Sequence, residues 1–159
     1  MVKVFLLLGG NLGDRFAYLS KAIALIGEEI GTVAQQSSVY ETQAWGKTDE
    51  ADYLNQVIIV ETELQAHEVL ARILQIELNL GRKRAEKWGA RTIDIDILFY
   101  DDIIINKPGL IIPHPELQNR RFTLEPLAEI APELLHPVLK INMLQLKNNL
   151  QDCLIVKKL

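Results

Sequence analysis

Thr92-Ile93-Asp94-Ile95-Asp96-Ile97 alternates polar and apolar residues without a break, and two of its polar residues are acidic. A period of two is the signature of a half-buried strand, and the stretch from Arg91 to Ile97 reads as one. Ile93, Ile95 and Ile97 then share one face, and Asp94 and Asp96 share the other, roughly 7 Å apart along the strand. The surrounding fold must bury one side of this strand and leave the other polar. Two like charges on one face repel and lose hydration. A divalent cation between them reverses that penalty. Hard oxygen ligands suit Mg²⁺, which takes one or two carboxylates together with substrate phosphates. The alternative is a solvated strand edge with no chemistry.

Immediately upstream, Arg82, Lys83, Arg84, Lys87 and Arg91 place five cations within ten residues, with Trp88 among them. A metal-type carboxylate pair beside such a run points to a polyphosphate ligand. The run is a local exception, because the 159-residue chain carries a net charge of −4. That acidic balance argues against general nucleic-acid binding. Apolar content of 48% and charged content of 24% are ordinary for a globular chain. The expectation is a single domain over residues 1–159. Cys153 is the sole cysteine, so neither an internal disulfide nor a Cys-x-x-Cys metal motif is possible. A reducing, cytoplasmic setting fits. Met1 to Leu8 is apolar but stops at Gly9-Gly10, too short for a signal segment or membrane span, and reads as a first buried strand.

The order of elements follows from periodicity. After the strand Val2 to Leu8, the segment Gly9-Gly10-Asn11-Leu12-Gly13 turns, and Asp14 caps a helix. Phe16, Leu19, Ile23, Ile26 and Ile30 recur at helical spacing, with Gly31 at the stop. Val33 to Glu41 reads as a second strand, polar at Gln35-Gln36-Ser37-Ser38. Tyr53 to Thr62 is a third, with Val57-Ile58-Ile59-Val60 at its centre. A second helix runs from Gln65 to Leu80 on Val69, Leu70, Ile73, Ile76 and Leu80, and Gly81 ends it. The strand with the aspartates follows. The order βαββαβ is the ferredoxin-like split unit, an α+β antiparallel sheet with both helices on one face. Asp101-Asp102, between Ile97–Tyr100 and Ile103–Ile105, reads as a hairpin turn. A hairpin arm, a helical region at Leu124–Ile130 and a last helix at Asn142–Leu150 complete the chain. The segments Thr42–Asp52 and Arg82–Arg91 are candidate lids over a charged substrate.

Other residues carry weaker signals. The Gly9–Gly13 segment matches neither common phosphate-loop pattern, so a tight strand-to-helix turn is favoured. Tyr53 and Asn55 share a strand face and suit a flat heterocycle with a mixed hydrogen-bonding edge; a core Tyr and a strand-end Asn is the plainer reading. Pro113-His114-Pro115, followed by Arg120, Arg121 and Phe122, sets a His and an Arg where they can hold phosphate oxygens, or else forms a solvated turn. His67 sits on a polar helix face, and His136 shows no partner. Glu77 is either a surface charge or a support for the loop after Gly81.

These segments together resemble the 6-hydroxymethyl-7,8-dihydropterin pyrophosphokinase family. The resemblance rests on Leu8–Arg15, Ser38–Thr42, Asp52–Gln56, Glu77–Arg82, Lys87–Asp96, Ile112–Pro115, Arg120–Phe122 and Pro126–Pro132, with Trp88-Gly89-Ala90-Arg91-Thr92-Ile93-Asp94-Ile95-Asp96 the most specific element. The C-terminal tail adds nothing to it. The resemblance implies transfer of pyrophosphate from ATP to the hydroxymethyl oxygen of the pterin, with release of AMP. It implies two Mg²⁺ ions on Asp94 and Asp96, and Arg82, Arg84, Trp88 and Arg91 closing on ATP. His114 and Arg120 would hold phosphate oxygens, and Ile97 and Ile111 would lie near adenine. Tyr53 and Phe122 would sandwich the pterin, while Thr42, Asn55 and the backbone of Ala44 and Trp45 would bond its edge. The implied partners are these small molecules alone, with no nucleic acid and no membrane, and a monomer. The chain departs from the family pattern at Gly10, where Ser is commoner, at Gln43-Ala44, where Pro is frequent, and at Leu74, where some members have a polar residue. The competing reading is a non-catalytic ferredoxin-like module that binds nucleotide or RNA. Against RNA stand the acidic balance and the lack of a Lys/Arg-Gly-Phe signature on the third strand.

Overall fold

The fold is that of a computed structural model, which describes residues 1–43, 52–81, 92–152 and 154–159. Along the chain run β1 (Val2–Gly10), α1 (Arg15–Glu29), β2 (Thr32–Gln36), β3 (Tyr40–Thr42), β4 (Tyr53–Thr62), α2 (Ala66–Asn79) and β5 (Asp94–Tyr100). A hairpin of β6 (Ile105–Lys107) and β7 (Leu110–Ile112), a 3-10 turn at Leu117–Asn119, α3 (Arg121–Ile130), α4 (Met143–Asn148) and β8 (Val156–Lys158) follow. The main sheet has the order β5-β1-β4-β3-β8, with β2 also paired to β4. Every pairing in it is antiparallel. Counting β2 and β3 as two halves of one edge strand gives the fourth-first-third-second order of the ferredoxin-like unit.

The helices start where local chemistry says they should. The Asp14 carboxylate accepts from the Ala17 amide at 3.1 Å. Gln65 and Glu68 form a capping box on α2, with the Gln65 amide donating to Glu68 at 3.0 Å. The Asn142 side chain accepts from the Gln145 amide at 2.8 Å to open α4.

Strand alternation divides the core in two. Val4, Leu6 and Leu8 of β1, Leu54, Ile58 and Val60 of β4, and Ile95 and Ile97 of β5 pack on Leu19 and Ile26 of α1 and on Val69, Ile73 and Ile76 of α2. On the other face, Phe5, Leu7, Val57, Ile59, Leu98 and Phe99 meet Leu117, Leu124, Leu127, Met143 and Leu146. Each such buried side chain is worth about 1.5–3 kcal/mol over its exposed state. The C-terminal helices therefore cover a second sheet face, and the result is three layers rather than two.

Several sequence expectations change. β1 continues through Gly9 and Gly10, because both stay in the ladder with β4. The single strand expected at Val33–Glu41 is broken at Ser37–Val39. Ser37 donates from its amide to the Val57 carbonyl at 2.8 Å and accepts at its hydroxyl from the Val57 amide at 3.0 Å. The hydroxyl thereby stands in for a ladder acceptor, which is how Ser competes with regular structure. Thr42, expected in a loop, ends β3. β5 begins only at Asp94 and runs to Tyr100, with a bulge that leaves one extra residue opposite Phe5/Leu6. Asp101 does turn, at φ 48°, and it exchanges hydrogen bonds with the Lys3 backbone. No hairpin forms there, since β6 pairs with β7 and not with β5. β8 has no counterpart in the sequence reading. It is three residues long and gains its strand geometry from β3.

Candidate functional site

The registers assemble a polar row across the sheet. Asp94 lies opposite Gly9, Gly9 opposite Asn55, and Asn55 opposite Tyr40. Directly opposed residues share a face, so these four positions and Asp96, Tyr53 and Thr42 all belong to one side of the sheet. Neighbouring strands stand about 4.8 Å apart, which sets Asp94 roughly 10 Å from Asn55 across the glycine. This side is the one whose other half α3 and α4 cover at Phe5, Leu7, Val57 and Ile59.

Asp94 and Asp96 are half-buried on the polar face, while Ile93, Ile95 and Ile97 are buried on the other, as the alternation requires. Ile97, expected near adenine, thus turns its side chain into the core against α1 and α2. Its backbone faces the outer edge of β5, by the same alternation that points the Ile95 amide there. That amide donates to Glu77 Oε2 at 2.8 Å. Glu77 is only 2% exposed and lies on the inner face of α2, so it is not a surface charge; the loop after Gly81 lies outside the described residues. It pins the backbone midway between the two aspartates. Its spacing from Val69 and Ile73 put it in the apolar stripe, and that was the signal for its burial.

Gly9 makes room for Asn55. A Cβ there would stand 2.6 Å from Asn55 Nδ2 and 3.0 Å from the Leu54 carbonyl. With no side chain at Gly9, the Asn55 amide lies across β1, and its Oδ1 accepts from the Thr42 hydroxyl at 3.1 Å. Thr42 and Asn55 are both buried, and Tyr53 beside them is half-exposed. Tyr40, which closes the row, donates its hydroxyl to Glu129 at 2.8 Å. Burial, then the Glu129 hydrogen bond and charge, push that hydroxyl far above its ordinary range.

The Pro-His-Pro turn joins the acidic end. The His114 amide donates to the Leu98 carbonyl of β5 at 3.0 Å. Its Nδ1 accepts from the Glu116 amide at 3.1 Å, so the neutral ring carries its proton on Nε2. Burial lowers the His114 pKa; the Asp96 carboxylate pulls it back up and the Arg120 guanidinium pushes it further down. Asp96 and Arg120 therefore each lie within electrostatic reach of His114. The Arg120 guanidinium stands 5.6 Å from the centre of the Phe122 ring. Ile111 is 48% exposed on β7. His136 belongs to the core instead. Its Nδ1 accepts from the amides of Val138 and Leu139, and its ring meets the edge of Phe99. His67 is exposed, as expected. Ala44, Trp45, Arg82, Lys83, Arg84, Lys87, Trp88, Arg91 and Cys153 lie outside the described residues.

Fold and site together define a ferredoxin-like domain that carries a paired-carboxylate, polar site at one end of an antiparallel sheet. Residues 5–132 match the family model for 7,8-dihydro-6-hydroxymethylpterin-pyrophosphokinase. The chain belongs to that family. A 2-amino-4-hydroxy-6-hydroxymethyldihydropteridine pyrophosphokinase from Aquifex aeolicus is 42% identical over 160 residues, covering 99% of each chain. One from Bacillus subtilis is 43% identical over 131 residues, covering 82% of this chain and 78% of that protein. Among solved structures, wild-type Plasmodium falciparum HPPK-DHPS with pteroate shares the fold at a TM-score of 0.75 and 17% identity, over 92% of this chain and 44% of that chain. This chain spans less than half of that longer protein.

Proposed function

We propose that the chain transfers the pyrophosphoryl group of ATP to the hydroxymethyl oxygen of 6-hydroxymethyl-7,8-dihydropterin, releasing AMP, in folate biosynthesis. The observation that carries the site assignment is the shared sheet face on which Asp94 and Asp96 stand at one end and Asn55, Thr42 and Tyr53 at the other. One end suits a metal-bound polyphosphate and the other a flat heterocycle, at about the separation that a transferring phosphoryl chain would bridge.

Asp94 and Asp96 fit Mg²⁺, with two ions expected, because they are half-buried, oxygen-only ligands two residues apart on one strand face. Bound there, Mg²⁺ would neutralise triphosphate charge and that developing on departing AMP. Glu77 holds the intervening Ile95 amide and so fixes the spacing of the pair. His114 donates from Nε2, and Arg120 from its fork, to phosphate oxygens. Ile97 and Ile111 border the adenine, Ile97 through its backbone edge. Tyr53 and Phe122 stack on the pterin. Thr42 and Asn55 bond its polar edge, together with the backbone of Ala44 and Trp45. Arg82, Arg84, Trp88 and Arg91 supply the cations and the aromatic plane that close over ATP, with Arg82 and Arg91 acting on the transferring group.

The chemistry is positioning plus charge neutralisation. The hydroxymethyl oxygen forms a bond to the β-phosphorus. The bond from that phosphorus to the α,β-bridging oxygen breaks, and AMP leaves with the oxygen. The hydroxyl proton goes to Asp96 or to solvent. No covalent enzyme intermediate is required. Residues 1–159 act as one domain, a reading supported by the pairing of β8 near the C-terminus with β3. The enzyme works as a monomer in the cytoplasm. The test mixes protein, ATP, Mg²⁺ and the hydroxymethyl-dihydropterin and follows AMP by chromatography. Asp94→Ala and Asp96→Ala should each lower turnover by about 10²-fold or more while leaving the fold intact. AMP formation at the parent rate in either variant would refute the metal assignment.

A further inference from the structure

Residues after 132, where the family match ends, grip the pterin end of the site from two sides. On the first side, β8 runs along the outer edge of β3, with Val156 opposite Thr42 and Lys158 opposite Tyr40. The Leu159 amide continues the contact by donating to the Val39 carbonyl at 2.9 Å. β3 has only three residues, too few to hold an edge position firmly through one neighbour. The Lys158 ammonium stands 3.7 Å from Glu129 Oε2. Glu129 in turn accepts from the Ser38 amide at 3.0 Å, the Ser38 hydroxyl at 2.8 Å and the Tyr40 hydroxyl at 2.8 Å.

On the second side, Asp152 accepts from Arg121 Nε at 2.8 Å. Arg121 opens α3 and lies between Arg120 and Phe122. Its Nη1 also reaches Glu125 at 3.3 Å, and Lys147 of α4 reaches the other Glu125 oxygen at 3.2 Å. The tail is thus fastened both to the strand that ends in Thr42 and to the helical turn that carries Phe122.

We infer that Asp152 and β8 form a brace that positions Thr42 and Phe122 for the pterin more than it positions any group that holds ATP. The inference rests on the pterin assignment above. The brace acts on backbone placement, so Asp152, Val156 and Lys158 are positioning residues and touch no substrate. Asp94, Asp96 and His114 are anchored by β1, Glu77 and Leu98, none of which the tail contacts through these bonds.

Two variants test it. Asp152→Asn removes the charge from the Arg121 contact at constant shape, and a chain ended after Ile155 lacks β8. Pterin affinity is measured by titration in the presence of a non-hydrolysable ATP analogue and Mg²⁺; analogue affinity is measured alone. Each variant should weaken pterin binding by about 3–10-fold, with analogue affinity within twofold of the parent, since half-exposed charge pairs and short edge strands are individually modest. Equal losses for both ligands would show a merely structural tail and overturn the inference, as would unchanged pterin affinity in Asp152→Asn. If the shortened chain fails to fold, Asp152→Asn decides alone. The parent protein is assayed for AMP alongside. Absence of AMP there refutes the enzymatic reading, whereas normal AMP with an unaffected Asp152→Asn refutes only the brace.

Discussion

Gly9→Ala is the smallest change that separates the two ends of the site. Gly9 sits in regular strand, and its φ is not among the positive values, so alanine suits the backbone. The whole penalty comes from space. The added methyl would stand 2.6 Å from Asn55 Nδ2 and 3.0 Å from the Leu54 carbonyl. The carbonyl belongs to the sheet and holds its place, so the Asn55 amide must swing away. That movement breaks the 3.1 Å bond from the Thr42 hydroxyl. Leaving a buried hydroxyl unpaired costs about 1–3 kcal/mol, and alanine returns about 0.4–1 kcal/mol by restricting the unfolded chain. The net expectation is a loss of about 1–2 kcal/mol in urea unfolding. Pterin affinity, which depends on where Asn55 and Thr42 point, should fall by about 10–100-fold, the equivalent of one or two lost hydrogen bonds. ATP-analogue affinity should stay within about threefold, because Asp94 is not among the atoms nearest the new methyl. Calorimetric titration of each ligand separates the two. Undiminished pterin affinity, or an equal loss for both ligands, would show that Asn55 and Gly9 are not coupled in this way.

Other perturbations isolate single supports. Glu77→Ala leaves the buried Ile95 amide without its acceptor and should cost about 1–3 kcal/mol in chemical denaturation, whereas Glu77→Gln, which keeps an acceptor oxygen, should cost less. Arg15 Nη1 donates both to Glu41 at 2.8 Å and to the Asp52 carbonyl at 2.7 Å, tying the end of β3 to the start of β4. Arg15→Ala should therefore lower stability by about 0.5–1 kcal/mol at low salt, and that difference should narrow in 1 M salt. His136 is held neutral by burial, with its folded pKa below 6.5. Below pH 6.5 the unfolded chain takes up a proton that the folded chain resists, so this contribution is complete above pH 6.5 and erodes as the pH falls beneath it. His136→Asn, which keeps an acceptor for the two amides, should flatten that part of a melting-temperature profile. An unchanged slope would show that other groups set it.

What the sequence revealed depended on how local each cause was. Tyr53–Thr62 and the α2 stripe are legible because a β-branched run and a spacing of three to four each declare themselves within a few residues. The opposed faces of Asp94/Asp96 and Ile93/Ile95/Ile97 follow from alternation alone. The break at Ser37 is invisible in the same way, since a hydroxyl replaces a ladder bond only once β4 lies beside it. Gly9 looked like a turn residue because its reason for being glycine is Asn55, far away in sequence but opposite in register. The nearness of Asp96 to His114 needs the hydrogen bond from the His114 amide to the Leu98 carbonyl, sixteen positions back in the sequence. β8, three residues of Val-Lys-Lys, has no pattern of its own to read.

The bulge in β5 has a further consequence. Because Leu98 is the surplus residue, the ladder on either side of it, Phe5 with Phe99 and Leu6 with Ile97, would close up unchanged without it. Its carbonyl is what hooks the histidine turn to the sheet. A one-residue deletion there would keep both carboxylates on their face and the strand zipped, yet strip away a buried side chain and the acceptor of the histidine turn, so the imidazole would shift against the carboxylates while Ile112 and Leu117, buried on either side of it, still moor the segment.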